Sequence, residues 1–221
     1  MSGRTIAIGD IHGCHAALQR ILNRIQPTLD DTIVTMGDVV DRGPQSREVI
    51  DSLIRLAQQT NLVSLRGNHE LMMLAAIEEP SELHFWIENG GYDTMESYGS
   101  LEAIPREHLE FLRGFRPYFE TRTHFFVHAN YSPHVPLAKQ PDFAMYWEHL
   151  SAHTPGPHDS GKTAIVGHTP QRRGAVLDYG HLVCIDTFCY GKGCLTAFDV
   201  HTKQVWQATK TGEDFGASEA K

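Results

Sequence analysis

The chain has 221 residues, 41% of them apolar and 21% charged, which suits one sizeable globular domain with its own core. A formal net charge of −8 with 14 histidines argues against a nucleic-acid backbone as partner, which needs a basic face. No apolar run approaches the length of a membrane span, and residues 1–4 lead directly into a strand without a signal or transit peptide. Cys14, Cys184, Cys189 and Cys194 show no CxxC spacing, so they read as small buried apolar residues in a reducing compartment, and a cytoplasmic location is expected.

In chain order, the apolar run Thr5-Ile6-Ala7-Ile8 predicts a strand. Residues 16–25 place Ala17, Leu18, Ile21, Leu22 and Ile25 on one helical face, which Pro27 ends. A second strand over 32–36, a second helix over 45–59 and a third strand over 62–65 complete a β-α-β-α-β pattern, read as a parallel half with right-handed crossovers. Residues 70–116 change character, with helices over 70–79, 82–89 and 106–113 and a break at Gly90-Gly91. This stretch predicts a helical insertion over the site. Its Phe85, Trp86, Tyr92 and Tyr98 are at helical spacing and are core residues first, groove residues second. From Tyr118 the pattern turns to strands: 118–122, 124–129, 163–167, 174–178, 181–186, 194–199 and 203–208. Short turns join most of them, which predicts a mixed or antiparallel sheet. A Pro- and His-rich loop over 131–161 interrupts them around one short helix near 143–150. The domain is expected to span 1–208, with 209–221 a disordered polar tail.

The stretch around which the chain is organised is Gly37-Asp38-Val39-Val40-Asp41-Arg42-Gly43. It follows the second strand and precedes Pro44, so it is a strand-to-helix turn, the usual ligand crevice of an open α/β sheet. Four other turns repeat the arrangement of an apolar strand ending in Asp, His or Asn. They are Gly9-Asp10-Ile11-His12-Gly13, Arg66-Gly67-Asn68-His69-Glu70, His128-Ala129-Asn130 and Gly167-His168-Thr169-Pro170. Turns at the same end of one sheet system converge, and together these supply an O/N donor set for hard or borderline divalent metals.

By chemistry, Asp10 and His12 can reach one metal together. Asn68, His128 and His168 suit a second, and Asp38 is the central carboxylate that could bridge both. Two such ions, with two aspartates and a hydroxide, leave a small positive charge that attracts phosphate and provides a nucleophile near neutral pH. Arg42 and Arg66 flank ligands, and their guanidinium forks match phosphate oxygens. The bland alternative for both is an ion pair with Asp or Glu. His69 adjoins Asn68 and Asp41 is the spare carboxylate of the central turn, so this pair could hold a proton ready for a leaving oxygen.

These motifs, GDIHG at 9–13, GDVVDRG at 37–43, RGNHE at 66–70, HA at 128–129 and GHTP at 167–170, resemble the phosphoprotein phosphatase family of metallophosphoesterases, and within it the small bacterial and phage serine/threonine phosphatases. They occur in the family's order over roughly residues 5–200. The resemblance implies an α/β fold, the calcineurin-like α/β/β/α sandwich of two mixed sheets, with a dinuclear metal centre at one edge. It implies Asp10, His12 and Asp38 on the first ion, and Asp38, Asn68, His128 and His168 on the second. It further implies His69 with Asp41 as the catalytic acid pair, and Arg42 with Arg66 as the phosphate clamp. The expected cofactors are two divalent ions, Mn²⁺ first, with Fe, Zn or Mg as other suitable ions. The expected substrate is a phosphorylated protein or peptide, with no nucleic-acid or membrane partner.

The sequence departs from the family pattern at three places. Asn130 stands where glycine usually follows His-Ala. Glu148-His149 follows Trp147 where small relatives often carry a further phosphate-binding arginine, leaving Arg172 as a substitute. Pro170 stands where nuclease-like relatives carry another histidine. Bacterial dinucleoside polyphosphate hydrolases share these motifs but typically lack the aspartate matching Asp41, so its presence favours a phosphomonoesterase. A non-catalytic scaffold would have lost metal ligands or the acid histidine, which this chain keeps.

Overall fold

β-branched and aromatic residues dominate most of the strands, and the two crossover helices form where apolar residues recur at helical spacing. The computed structural model describes residues 3–216. Its first sheet has β1 (Thr5–Ile8) parallel to β2 (Thr32–Thr35), which is parallel to β3 (Asn61–Ser64). Helices α1 (His15–Ile25) and α2 (Ser46–Leu56) make the crossovers. Alternate residues of these strands face opposite layers. Ile6, Ile8 and Ile33 pack under the helices with Leu18, Ile21, Val49 and Leu53, while Ala7, Val34 and Met36 face the second sheet.

The second sheet runs in the order β4 (Tyr118–Glu120), β5 (His124–Val127), β6 (Thr163–Val166), β8 (Leu182–Cys184), β7 (Leu177–Asp178). Its centre, β5-β6-β8, is parallel and its two edge strands are antiparallel. The two last strands, β9 (Leu195–Asp199) and β10 (Val205–Ala208), leave this half of the chain. β9 pairs antiparallel with β1 through Ala7 and Phe198, and β10 pairs with β9. Grouping all strands after Tyr118 in one sheet is therefore corrected: both sheets are mixed, and chain order does not reveal it. Phe126, Ile165, Val183 and Phe198 fill the interface between the sheets with Val34 and Val63. The outer face of the second sheet is covered mainly by the loop from 131 to 161, which contributes Tyr131 and Leu137 and carries one short helix, α7 (Asp142–Tyr146).

The stretch after β3 is helical, with α3 (Asn68–Glu78), α4 (Leu83–Trp86), α5 (Tyr92–Tyr98) and α6 (Arg106–Arg113). The Gly90-Gly91 break is a kink between α4 and α5, where Gly90 takes φ +108°. Residues 209–216, expected as part of a disordered tail, lie against α1. Asp214 accepts from Arg20 at 2.6 and 3.1 Å and from Arg24 at 3.0 Å. The remainder of that tail, 217–221, lies outside the described residues. Among the described residues no helix is long and apolar enough to cross a membrane, and all four cysteines are buried and free.

Arg4 and Asp31 tie the start of β1 to the end of the loop before β2. The Asp31 carboxylate, 4% exposed, accepts from the Arg4 side chain at 2.6 and 3.1 Å and from the backbone N–H groups of Arg4 and Thr28. The Arg4 guanidinium and these N–H groups hold its carboxyl well below the usual range. A depressed carboxyl pKa contributes stability above about pH 4 that is lost as pH falls. Asp31→Asn is expected to cost about 2 kcal/mol at pH 7, lowering Tm by about 4–8 °C for a chain of this size. The gap between variant and wild type should narrow as thermal melts are taken from pH 7 towards pH 3. A gap independent of pH would assign the loss to something other than the ion pair.

Candidate active site

Every candidate residue sits just past the carboxyl end of a strand: Asp10 and His12 after β1, Asp38 after β2, Asn68 after β3, His128 after β5 and His168 after β6. Tight turns put these side chains on one edge of both sheets, and the backbone there is forced. His12, Asp38, Asp41, Arg42 and His168 all have positive φ, between 46° and 70°. Non-glycine residues in this region cost free energy, and such positions concentrate where a site over-determines them. Glycines permit the close approaches: a Cβ on Gly67 would lie 2.1 Å from Asp38 Oδ1, and one on Gly167 would lie 2.1 Å from Asp10 Oδ1.

Asp38, 1% exposed, is the shared member of two groups of donor atoms that lie within 4.8 Å of one another: His12, Asp38 and His69, and Asp38, His128 and His168. Burial alone would raise the Asp38 carboxyl, but at the low pH where it titrates the charges gained by His128, His69, His12 and His168 outweigh it and hold the group well below its ordinary value. Three imidazoles are oriented by their second nitrogen. His12 Nδ1 donates to the Val40 carbonyl at 3.0 Å, His128 Nδ1 to the Met36 carbonyl at 2.8 Å and His168 Nε2 to the Trp147 carbonyl at 3.2 Å. The other nitrogen of each ring then carries a lone pair, as metal-ligating histidines require. Burial lowers all three pKa values, His168 to about 3, so the rings are neutral at pH 7. Asn68 Oδ1 is 3.2 Å from His128 Nε2.

Asp10 enters through a different contact. Its Oδ2 accepts from the His168 backbone N–H at 2.9 Å, while its Oδ1 is buried with no hydrogen-bond partner. Burial, then the neighbouring Asp186 and Asp38, push this carboxyl up. An orphaned buried carboxylate oxygen beside neutral imidazoles is costly unless a cation answers it. These donors therefore fit a pair of divalent ions.

His69 faces Asp38 with Nε2, at 4.0 Å from Oδ2, and its Nδ1 is 2.7 Å from Asp41 Oδ2. Burial would lower its pKa, but Asp38 and then Asp41 more than offset this and raise it. Asp41 is itself fully buried and held from the helical insertion. Trp86 Nε1 donates to it at 2.9 and 3.1 Å, and the Thr94 hydroxyl at 2.7 Å. Trp86 is completely buried, whereas Phe85 and Tyr92 are exposed and Tyr98 is buried on His108. Of the four insertion aromatics, then, one serves the site, by holding Asp41.

Arg42 donates through Nη1 to His12 Nε2 at 3.0 Å, and its guanidinium carbon lies 4.8 Å from the Tyr190 ring centroid. Its backbone N–H donates to the Gly90 carbonyl at 3.1 Å, so the glycine kink of the insertion seats it. Arg66 makes no carboxylate pair among the described residues. Its Nη2 donates to the carbonyls of Arg113 and Phe115 at 3.1 Å, and its Nε is buried without a partner. At the other departures, Asn130 staples the loop by donating to the His153 carbonyl, His149 lies against the His168 ring at 4.3 Å, and Arg172 lies over the Phe188 ring at 5.4 Å.

Sequence reasoning passed over three residues. Glu70 accepts from the backbone N–H groups of Asp38, Val39 and Gly67 at 2.8–2.9 Å, tying two of the turns together; burial, then Asp38, raise its carboxyl to about 7. Asp186, 2% exposed, is a carboxylate at a sixth strand end, after β8, and burial pushes it to about 7. Its signal was present, an apolar run Val183-Cys184-Ile185 ending in Asp. Tyr190, edge-on to His12 at 4.8 Å, carried none.

The comparisons with known proteins agree with this geometry. The calcineurin-like phosphoesterase family profile matches residues 3–198. A serine/threonine-protein phosphatase 1 from Salmonella typhimurium is 32% identical over 199 residues, covering 86% of this chain and 88% of that one. A symmetrical bis(5'-nucleosyl)-tetraphosphatase from Paracidovorax citrulli is 49% identical over 70 residues, 31% of this chain and 24% of its own length. Among solved structures, one provisionally assigned as a diadenosine tetraphosphatase superposes with a TM-score of 0.73 at 22% identity over 94% of both chains. A cold-active protein-tyrosine phosphatase from Shewanella gives 0.68 at 16% identity over 96% of this chain and 79% of its own. The match over nearly the whole chain, with the strand-end donor set it brings together, makes this chain a member of the calcineurin-like phosphoesterase family.

Proposed function

We propose that this protein is a metal-dependent phosphomonoesterase acting on phosphoserine and phosphothreonine in proteins. The observation that carries the reading is His69, pinned by Asp41, which Trp86 and Thr94 hold in turn. A proton donor locked in this way is needed for a poor leaving group such as a serine alkoxide. Asp10, His12 and Asp38 would hold one divalent ion, and Asp38, Asn68, His128 and His168 the second, Mn²⁺ being the proposed ion. When bound, such ions polarise the phosphate and activate water. Arg42 and Arg66 grip the phosphate oxygens and orient them. His69 gives its Nε2 proton to the leaving oxygen as the bond from phosphorus to that oxygen breaks, and Asp41 keeps Nδ1 protonated throughout. The near full-length similarity to a serine/threonine-protein phosphatase supports this reading. The 49% identity over 70 residues to a dinucleoside tetraphosphatase supports a second one, hydrolysis of a dinucleoside polyphosphate. Turnover of phosphoserine, phosphothreonine and phosphotyrosine peptides is to be compared with that of diadenosine tetraphosphate, each with added Mn²⁺. Faster peptide hydrolysis is expected, and preference for the dinucleotide would reverse the order of the two readings.

Arg66→Ala is expected to raise KM and lower kcat together, reducing kcat/KM by about 10–100-fold, the worth of a hydrogen bond to a charged group. If Arg66 only staples the Arg113 and Phe115 carbonyls, the variant will instead melt at lower temperature while keeping kcat/KM per folded molecule. Kinetics and melting on one preparation separate the two outcomes.

A further inference from the structure

A cavity of about 380 Å³ is lined in part by Arg42, whose guanidinium also reaches His12. Its walls come from segments distant in sequence: Ala16 on α1, Arg42 in the central turn, Tyr190 in the loop before β9, and Lys210 and Thr211 in the segment after β10. They include two cations and no carboxylate, in a chain whose net charge is −8. The Arg42 guanidinium lies over the Tyr190 ring at 4.8 Å, and its backbone N–H is held by the Gly90 carbonyl at 3.1 Å. Lys162 and Lys203 reach Glu120 and Asp178 at 2.6 and 3.1 Å, whereas Lys210, like Lys139 and Lys192, pairs with no carboxylate among the described residues.

The turn that carries Lys210 is held in place from both sides. Gly212 N–H donates to the Thr209 carbonyl at 2.8 Å, and Asp214 is gripped by Arg20 and Arg24 of α1. Gly212 has φ +86° and packs so closely on α1 that a Cβ would lie 3.1 Å from the Ala16 carbonyl oxygen. The fold thus presents a second cation beside the proposed phosphate-binding arginine, in a cleft large enough for a substituent of the substrate.

We infer that this cavity is a second-anion subsite, in which Lys210, together with Arg42, receives a phosphate or carboxylate that the substrate carries next to its scissile phosphate. The inference rests on the phosphohydrolase reading above. The same chemistry would come from an acidic side chain flanking a phosphorylated residue or from a further phosphate of a nucleoside polyphosphate, and the test has an arm for each. Four substrates are compared on the Mn²⁺-loaded protein: p-nitrophenyl phosphate, a phosphoserine peptide with flanking glutamates, the same peptide with glutamines, and diadenosine tetraphosphate. In Lys210→Glu, kcat/KM for the glutamate peptide relative to the glutamine peptide should fall about three- to tenfold, as for a partly exposed charge pair. Alternatively, kcat/KM for the dinucleotide relative to p-nitrophenyl phosphate should fall by that factor. The ratio that moves names the source of the anion. Lys210→Arg should restore it, Asp214→Ala should shift it the same way by less, and added salt should weaken it in the wild type. Both ratios unmoved by Lys210→Glu would overturn the subsite and leave the phosphohydrolase reading standing. A wild type that turns over none of the four would defeat that reading, and the subsite with it.

Discussion

His69→Asn is expected to slow hydrolysis of a phosphoserine peptide on the order of 10²–10⁴-fold, the usual worth of general-acid assistance, and to slow p-nitrophenyl phosphate far less. The difference follows from the leaving groups. On the proposed mechanism a serine alkoxide needs the proton that His69 Nε2 would present, and a nitrophenolate hardly does. Asp41→Asn should show the same selectivity more weakly, since it orients the ring and does not donate to substrate. The double variant should be little worse than His69→Asn alone, because residues that act as a unit are not additive. Trp86→Phe extends the test outward. It removes the indole N–H that donates to Asp41 at 2.9 Å while keeping an aromatic ring in the core. Its effect should again fall more on the peptide than on the nitrophenyl ester. Equal losses on both substrates in His69→Asn would mean that this ring, which also lies within the Asp38 group of donor atoms, serves the metal shell instead of the leaving oxygen.

Asp38→Asn is expected to cost more than about 100-fold on every substrate, beyond the loss usual for removing an outer partner of a ligand. Asp38 is the one residue common to both donor groups, and the amide replaces a carboxylate by a weaker, neutral donor. Metal analysis of the purified wild type reconstituted with Mn²⁺ should find two ions per chain, and the variant should retain fewer. Ion binding to the folded state also raises Tm by mass action, so added Mn²⁺ should stabilise the wild type more than the variant. Two ions still held by Asp38→Asn, with activity intact, would overturn the ligand assignment.

Much of this protein was determined locally. A run such as Thr5-Ile6-Ala7-Ile8, buried on both faces, is a strand by its own chemistry. The recurrence of Asp, His or Asn straight after such runs places donor atoms at one edge once the strands pair. Asp186 obeys the same rule, but Ile185 continues the apolar run past the strand's end at Cys184, so the sequence does not mark where that turn begins. The Gly90-Gly91 break was also visible, since only glycine takes φ +108° without strain. Its purpose was not. That kink brings a carbonyl to Arg42, and Trp86 just before it reaches Asp41, a contact spanning 45 residues.

What only the tertiary structure decided are the partnerships made across long stretches of chain. β9 could have paired within the second half, and all five of its residues are buried; its antiparallel register on β1 depends on which face each sheet has left to bury. Glu70 is a helix residue in sequence. It becomes the clasp of the central turn only because β2 and β3 are neighbours, which puts the N–H groups of Asp38 and Val39 within reach of its carboxylate. The segment after β10 is polar and glycine-containing, with Phe215 its one large apolar side chain, yet Asp214 finds two arginines one turn apart on α1. Backbone propensity and residue chemistry act over a few neighbours and can be read along the chain. Pairing, burial and charge contacts depend on which surfaces the folded sheets bring within a few ångströms, and no short stretch of sequence carries that information.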